Sequence, residues 1–217
     1  MKIRVWDLPT RFFHWALLAL VAFAWITSEI DGTLFNLHVF AGVAILGLIV
    51  FRLVWGVIGS RYARFSDFIK PWPVVAEYGR KMFTRKAPRH LGHNPLGGWM
   101  IVFLIVTLTV TVFTGLFTSD DGNAGPLAWR IPSGLAHTME ELHEGVSGFL
   151  GFLIGIHVLG VIVHGFVSGE NLPRAMWTGY KTVPEEERDS SGVQAGVWWR
   201  AIIAVSLSIL AVWSLYL

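Results

Sequence analysis

Five runs of roughly 20 mostly apolar residues, each long enough to cross the hydrocarbon layer of a membrane, constrain this chain more than any other feature. They lie near residues 11–28, 34–58, 97–117, 145–167 and 196–216. Only 15% of the 217 residues are charged, against about 25% in a typical soluble domain. Lipid is therefore the expected solvent. Tryptophans gather near the ends of the runs, at Trp6, Trp55, Trp99, Trp177, Trp198 and Trp199, as interfacial anchors do. The first run follows basic residues like a secretory leader, yet it lacks a small-residue cleavage site and is long enough to span. It is read as a retained helix.

Charge sets the expected orientation. Lys2, Arg4 and Arg11 precede the first span. The loop between spans two and three carries Arg61, Arg64, Lys70, Arg80, Lys81, Arg85, Lys86 and Arg89 against Asp67 and Glu77. Basic loops stay on the cytoplasmic side. The loops between spans one and two and between spans three and four are acidic, with Glu29 and Asp31 in the first, and Asp120, Asp121, Glu140, Glu141 and Glu144 against Arg130 in the second. These should face outward, which places the N-terminus in the cytoplasm and, after five crossings, the C-terminus outside. The basic loop thus explains the net charge of +2 without a nucleic-acid partner. Within it, WPVVAEYGRKMF is basic and mildly amphipathic, suited to lying on anionic lipid.

Histidines give the spans their chemistry. Histidine inside a membrane is costly and marks a functional position. His143 and His157 are 14 residues apart, about four helical turns, so one helix face offers imidazoles at two depths about 21 Å apart. His38 opens the second span at the outer depth, and His14 sits near the inner end of the first. The expected pairs are His38 with His143 and His14 with His157, each bridging two helices as a bis-histidine haem site requires. With no cysteine in the chain, disulfides, cysteine-ligated iron–sulfur clusters and covalent haem attachment are excluded. Two non-covalently held b-type haems are therefore predicted. Arg52 follows His38 by the same 14 residues and should meet a haem propionate at the inner level. Gly42, Gly47, Gly148, Gly151, Gly155 and Gly160 leave room for a flat macrocycle or for close helix packing.

His164 stays open between replacing His157 as a ligand, serving a quinone pocket, and lying plainly at the interface. His90 and His93, in RHLGHNPLGG, are expected at the surface or in a helix-entry turn, and His137 in a solvated loop. No metalloprotease, phosphate-loop or nucleophilic-triad pattern accompanies them, so no catalytic residue is assigned.

Several segments together resemble the bacterial cytochrome b561 and nickel–iron hydrogenase b-type cytochrome group. They are VWDLPTRFFHW, LHVFAGVAILGLIVFRLVWG, LGHNPLGG, ELHEGVSGFLGFLIGIH and GENLPRAMWTGYK. The resemblance covers residues 1–183 and implies an all-α, transmembrane four-helix di-haem bundle that passes electrons between membrane quinone and a redox partner. It implies His14, His38, His143 and His157 as iron ligands and His164 beside the quinone. A charged linker at 184–195 and a fifth, histidine-free transmembrane helix at 196–217 extend beyond it. The quinone is expected around His14, Arg52, His164 and Trp177.

The partner implied is a periplasmic c-type cytochrome, a hydrogenase or reductase subunit, or superoxide. The acidic outer loop suits a basic soluble protein. A different class of reading is a haem-containing anchor subunit with no redox role of its own. A histidine-lined metal transporter fits poorly, because the middles of spans three and four carry no carboxylate.

Overall fold

Long apolar runs in lipid can satisfy their backbone groups only as helices or closed barrels, and here every run is helical. The computed structural model describes residues 2–28, 33–84, 88–120, 123–182 and 198–217. The predicted linker at 184–195 lies outside them, as do Glu29, Asp31, Arg85, Lys86 and Asp121. Strand β1 (Lys2–Arg4) leads into α1 (Leu8–Ser28) and α2 (Thr33–Ile58). The short α3 (Phe65–Phe68) and α4 (Trp72–Phe83) precede α5 (Pro95–Gly115). Strands β2 (Ser119–Asp120) and β3 (Asn123–Ala124) form a small hairpin before α6 (Ser133–Ser168). Helix α7 (Leu172–Thr178), strand β4 (Tyr180–Thr182) and α8 (Trp198–Trp213) complete the order.

Helices α1, α2, α5 and α6 form the bundle, and α8 packs on α2 from outside it. Val212 of α8 approaches Gly47, while Arg200 Nη1 donates to the Ile58 carbonyl at 3.3 Å. Five helices, with α8 continuing to Tyr216, are long and apolar enough to span. Large apolar side chains such as Phe12, Ile26, Phe40, Phe113, Phe152 and Phe166 point outward. Such a surface belongs in lipid, and the protein is a multi-pass membrane protein.

The fourth span is longer than hydropathy suggested. Helix α6 has 36 residues, about 54 Å at a rise of 1.5 Å each, well beyond a hydrocarbon layer of about 30 Å. Its polar first turns, SGLAHTMEELHE, contain good helix formers after Pro132 and simply continue the helix. His143 therefore sits ten residues inside α6 instead of opening it.

Two motifs prove to be helix caps. In LGHNPLGG, Asn94 accepts from Gly97 N at 2.7 Å with Pro95 in the first turn of α5. In GENLPRAMWTG, Asn171 accepts from Arg174 N at 2.8 Å, and Gly179 ends α7 at φ 87°. The pairing of β1 with β4, unforeseen from hydropathy, ties the start of the chain to the segment after α7. Buried Lys181 lies opposite Ile3 there and meets Glu170 at 3.0 Å. Glu170 also pairs with Arg89 at 2.7 Å. The amphipathic segment forms α4, turning Val75 and Tyr78 inward and stacking Trp72 on Trp99 at 5.1 Å.

Candidate functional site

His38 and His143 face one another across the bundle from α2 and α6. Their ring centroids are 6.1 Å apart and their planes nearly perpendicular, at 84°. An imidazole nitrogen binds a first-row metal at about 2 Å, so one metal shared by two opposed rings separates their centroids by roughly 6 Å. Each ring is also oriented from behind. His38 Nδ1 lies 2.9 Å from the Ala24 carbonyl and His143 Nδ1 lies 2.8 Å from the Thr111 carbonyl. A carbonyl only accepts, so both Nδ1 atoms carry the proton and both Nε2 atoms keep a free lone pair. That is the arrangement by which protein carbonyls fix metal-binding histidines. Gly115 makes it possible, because a Cβ there would lie 2.8 Å from His143 Cε1.

Below this pair the four helices close into a dry layer. Ile45 and Ile49 of α2, Leu108 and Val112 of α5 and Leu150 of α6 are buried together, with Leu17, Leu20, Val21 and Ala24 of α1 against them. Leu150 is seven residues from both His143 and His157, so this layer separates the two histidine levels.

At the other level His14 and His157 lie within electrostatic reach of one another. At this end the buried His14 Nδ1, Trp15 Nε1, Arg52 Nη1 and His93 Nδ1 find no hydrogen-bond partner among the described residues. Arg52 is 3% exposed, and its Cζ lies 4.8 Å from the Phe65 ring centroid and 5.7 Å from that of Phe68. Aromatic faces only partly offset a buried charge, which calls for an anion. The nearby Asp7 is committed elsewhere. It accepts from Thr10 N at 2.6 Å, from Trp55 Nε1 at 3.2 Å and from Ser60 Oγ, locking the start of α1 to the end of α2.

Of the two places expected for His93, the surface or a helix-entry turn, it takes the second. It sits in the turn entering α5, but its ring is held between Trp6 at 4.6 Å and Phe68 at 4.8 Å. Burial, followed by the charge of Arg52, pushes its imidazole down to about 3, so the ring is neutral at ordinary pH. Nothing local announced this, since the packing comes from residues 87 and 25 positions away.

A family model for prokaryotic cytochrome b561 matches residues 5–179, which include all four paired histidines. The chain belongs to that family. It is similar to a probable superoxide oxidase CybB of Yersinia pestis, 26% identical over 171 residues that cover 73% of this chain and 87% of that protein. No solved structure matches it significantly. A b561-family member is a b-type cytochrome, and the donor sets present fit haem: opposed imidazoles on paired helices and an unpaired buried guanidinium beside one pair.

Other residues of this cytochrome divide less simply. Trp177 reaches the His14 level through an edge contact with Trp15 at 5.5 Å, and Trp15 meets His14 at 5.1 Å. Arg11 holds this ledge by donating to the carbonyls of Met176 and Trp177. His164 is half-buried, and its imidazole makes no hydrogen bond among the described residues. Its electrostatic neighbours are Glu170, Lys181 and His90. His137 is exposed beside Glu140 and Glu141. Among the glycines, Gly42 faces open space one turn from His38. A Cβ at Gly47 would instead lie 3.3 Å from Val212 and one at Gly151 3.0 Å from Trp25, so their task is helix packing.

Proposed function

We propose that this cytochrome holds two b-type haems, one between His38 and His143 and one between His14 and His157, and moves electrons between membrane quinone and a redox partner outside. The observation that carries this is the opposed His38–His143 pair, with both Nδ1 protons given to backbone carbonyls. His38, His143, His14 and His157 would hold the haem, which when bound would supply one-electron exchange.

The chain's own residues divide the remaining work. The layer around Ile45, Ile49, Leu108 and Leu150 keeps water from the space between the levels. Arg52 meets a propionate at the His14 level. Trp177, Trp15 and His164 form the surroundings of the quinone. Lys2, Arg4, Arg11, Lys70, Arg80, Lys81 and Arg89 keep that end in the cytoplasm of a bacterial inner membrane. At the opposite end Glu141 and Glu144 are exposed on α6, where they attract the basic face of a soluble partner such as a c-type cytochrome or a reductase subunit.

Purified protein in lipid nanodiscs, mixed with a short-chain quinol, tests the reading. Reduction of the haem absorption bands is expected on the time scale of turnover. Haem that stays oxidised through many equivalents of quinol supports the passive anchor instead. A second reading, transfer from superoxide to quinone, is favoured by the likeness to the Yersinia protein. The acidic α6 turns oppose it, because an anion is repelled by like charge. Haem reduction by a superoxide-generating system, abolished by dismutase and insensitive to added salt, would select it.

A further inference from the structure

We propose that His93 is a second holder of the inner haem, donating from Nδ1 to the propionate carboxylate that Arg52 also pairs with. This rests on the di-haem reading above. Arg52 and His93 share the Phe68 ring, at 5.7 Å and 4.8 Å from its centroid, and His93 lies within electrostatic reach of Arg52 and of the His157 and His14 positions. The two unpaired nitrogens therefore lie in one neighbourhood, at the level of the inner histidine pair. An unsatisfied buried polar group is costly, so two at one place indicate a shared acceptor.

The described residues at this end offer no free carboxylate for the role. Asp7 is bound by Thr10, Trp55 and Ser60. Asp67 faces Arg61 at 3.8 Å, Glu77 pairs with Lys81 at 2.6 Å, and Glu170 is held by Arg89 and Lys181. A propionate has the right charge, and its two oxygens accept from a guanidinium and an imidazole together. Trp6 and Phe68 hold the imidazole plane between them, so the donor is positioned before the cofactor arrives.

The test uses holoprotein whose haem carries carbon-13 in the propionate carboxyls. Redox-difference infrared spectra and potentiometric titration are recorded for wild type, His93→Leu and His93→Gln. Loss of the donor in His93→Leu leaves the propionate's negative charge less offset beside the inner haem. That haem should become harder to reduce, by about tenfold in its equilibrium constant, which is about 59 mV for one electron. The labelled carboxylate band should move, and the outer haem should keep its potential. His93→Gln, which retains an N–H donor, should show a smaller displacement of the band and potential. Two haems per chain with an unmoved labelled band in His93→Leu overturn the proposal and leave the di-haem reading intact. If His93→Leu does not accumulate, an unmoved band in His93→Gln overturns it equally. A wild-type protein that binds no haem refutes the underlying reading instead.

Discussion

Gly115→Ala tests the outer site through a single added methyl group. The new Cβ would stand 2.8 Å from His143 Cε1 and 2.9 Å from Nδ1. Ordinary carbon contacts begin near 3.5 Å, so the ring must retreat by roughly 0.7 Å. The imidazole is the far end of a side chain, and α5 and α6 therefore stay folded while the ring moves. Its hydrogen bond to the Thr111 carbonyl, 2.8 Å long, is sacrificed or strained. Binding sites tolerate displacements of about 0.5 Å, and loss of an orienting partner typically weakens a metal site 10–100-fold. That corresponds to about 1.4–2.7 kcal/mol of affinity. Haem transfer to an excess of a soluble haem scavenger, followed at each site by its distinct absorption and electron-paramagnetic signal, reads the change. The outer site should release haem 10–100 times more readily, with the inner site as internal control. Unchanged retention at both sites, or earlier release from the inner one, refutes the reasoning.

Asp7→Ala removes the cap of α1 and strands the buried Ser60 hydroxyl and part of the Trp55 indole donor, for about 3 kcal/mol in all. Thermal unfolding in detergent checks this, with Asp7→Asn expected to lose less; a loss under about 1 kcal/mol would contradict the network. Burial alone would raise the Glu170 carboxyl, but its hydrogen bond to Arg89 and the charge and hydrogen bond of Lys181 outweigh this and hold it below its ordinary value of 4.5. A depressed folded value means its stabilisation is full above about that pH and is lost as pH falls through the folded value. The melting temperature should therefore drop on acidification below 4.5, and Glu170→Gln should flatten that dependence. Arg52→Gln removes the buried cation beside the inner pair and should lower that haem's potential by tens of millivolts, one tenfold step being about 59 mV. A potentiometric titration in which only the outer haem shifts would speak against the placement of Arg52.

Helices were legible because hydropathy and length leave lipid-exposed segments no alternative. That His38 and His143 face one another was legible from topology, since loop charges put both near the outward ends of their spans. What escaped depended on partners distant in sequence. Polar residues 133–144 looked like a loop because hydropathy judges affinity for lipid and not helix propensity. His93 looked exposed because it lies in the basic loop ahead of the third span, whereas Trp6 and Phe68 enclose it. The β1–β4 pairing joins residues about 180 positions apart through segments of three residues, too short for any alternating pattern. Gly47 and Gly151 illustrate the converse, since a glycine on an apolar helix leaves room on whichever side a neighbour arrives.

The central claim is that four imidazoles on α1, α2 and α6 hold two irons. The haem-to-protein ratio of the purified membrane protein, measured as pyridine haemochrome against amino-acid analysis, tests it most directly. The account predicts two protohaems per chain, falling to one in His38→Ala and to one in His157→Ala. A saturated wild-type ratio of one or zero, or an unchanged ratio in both variants, would contradict it.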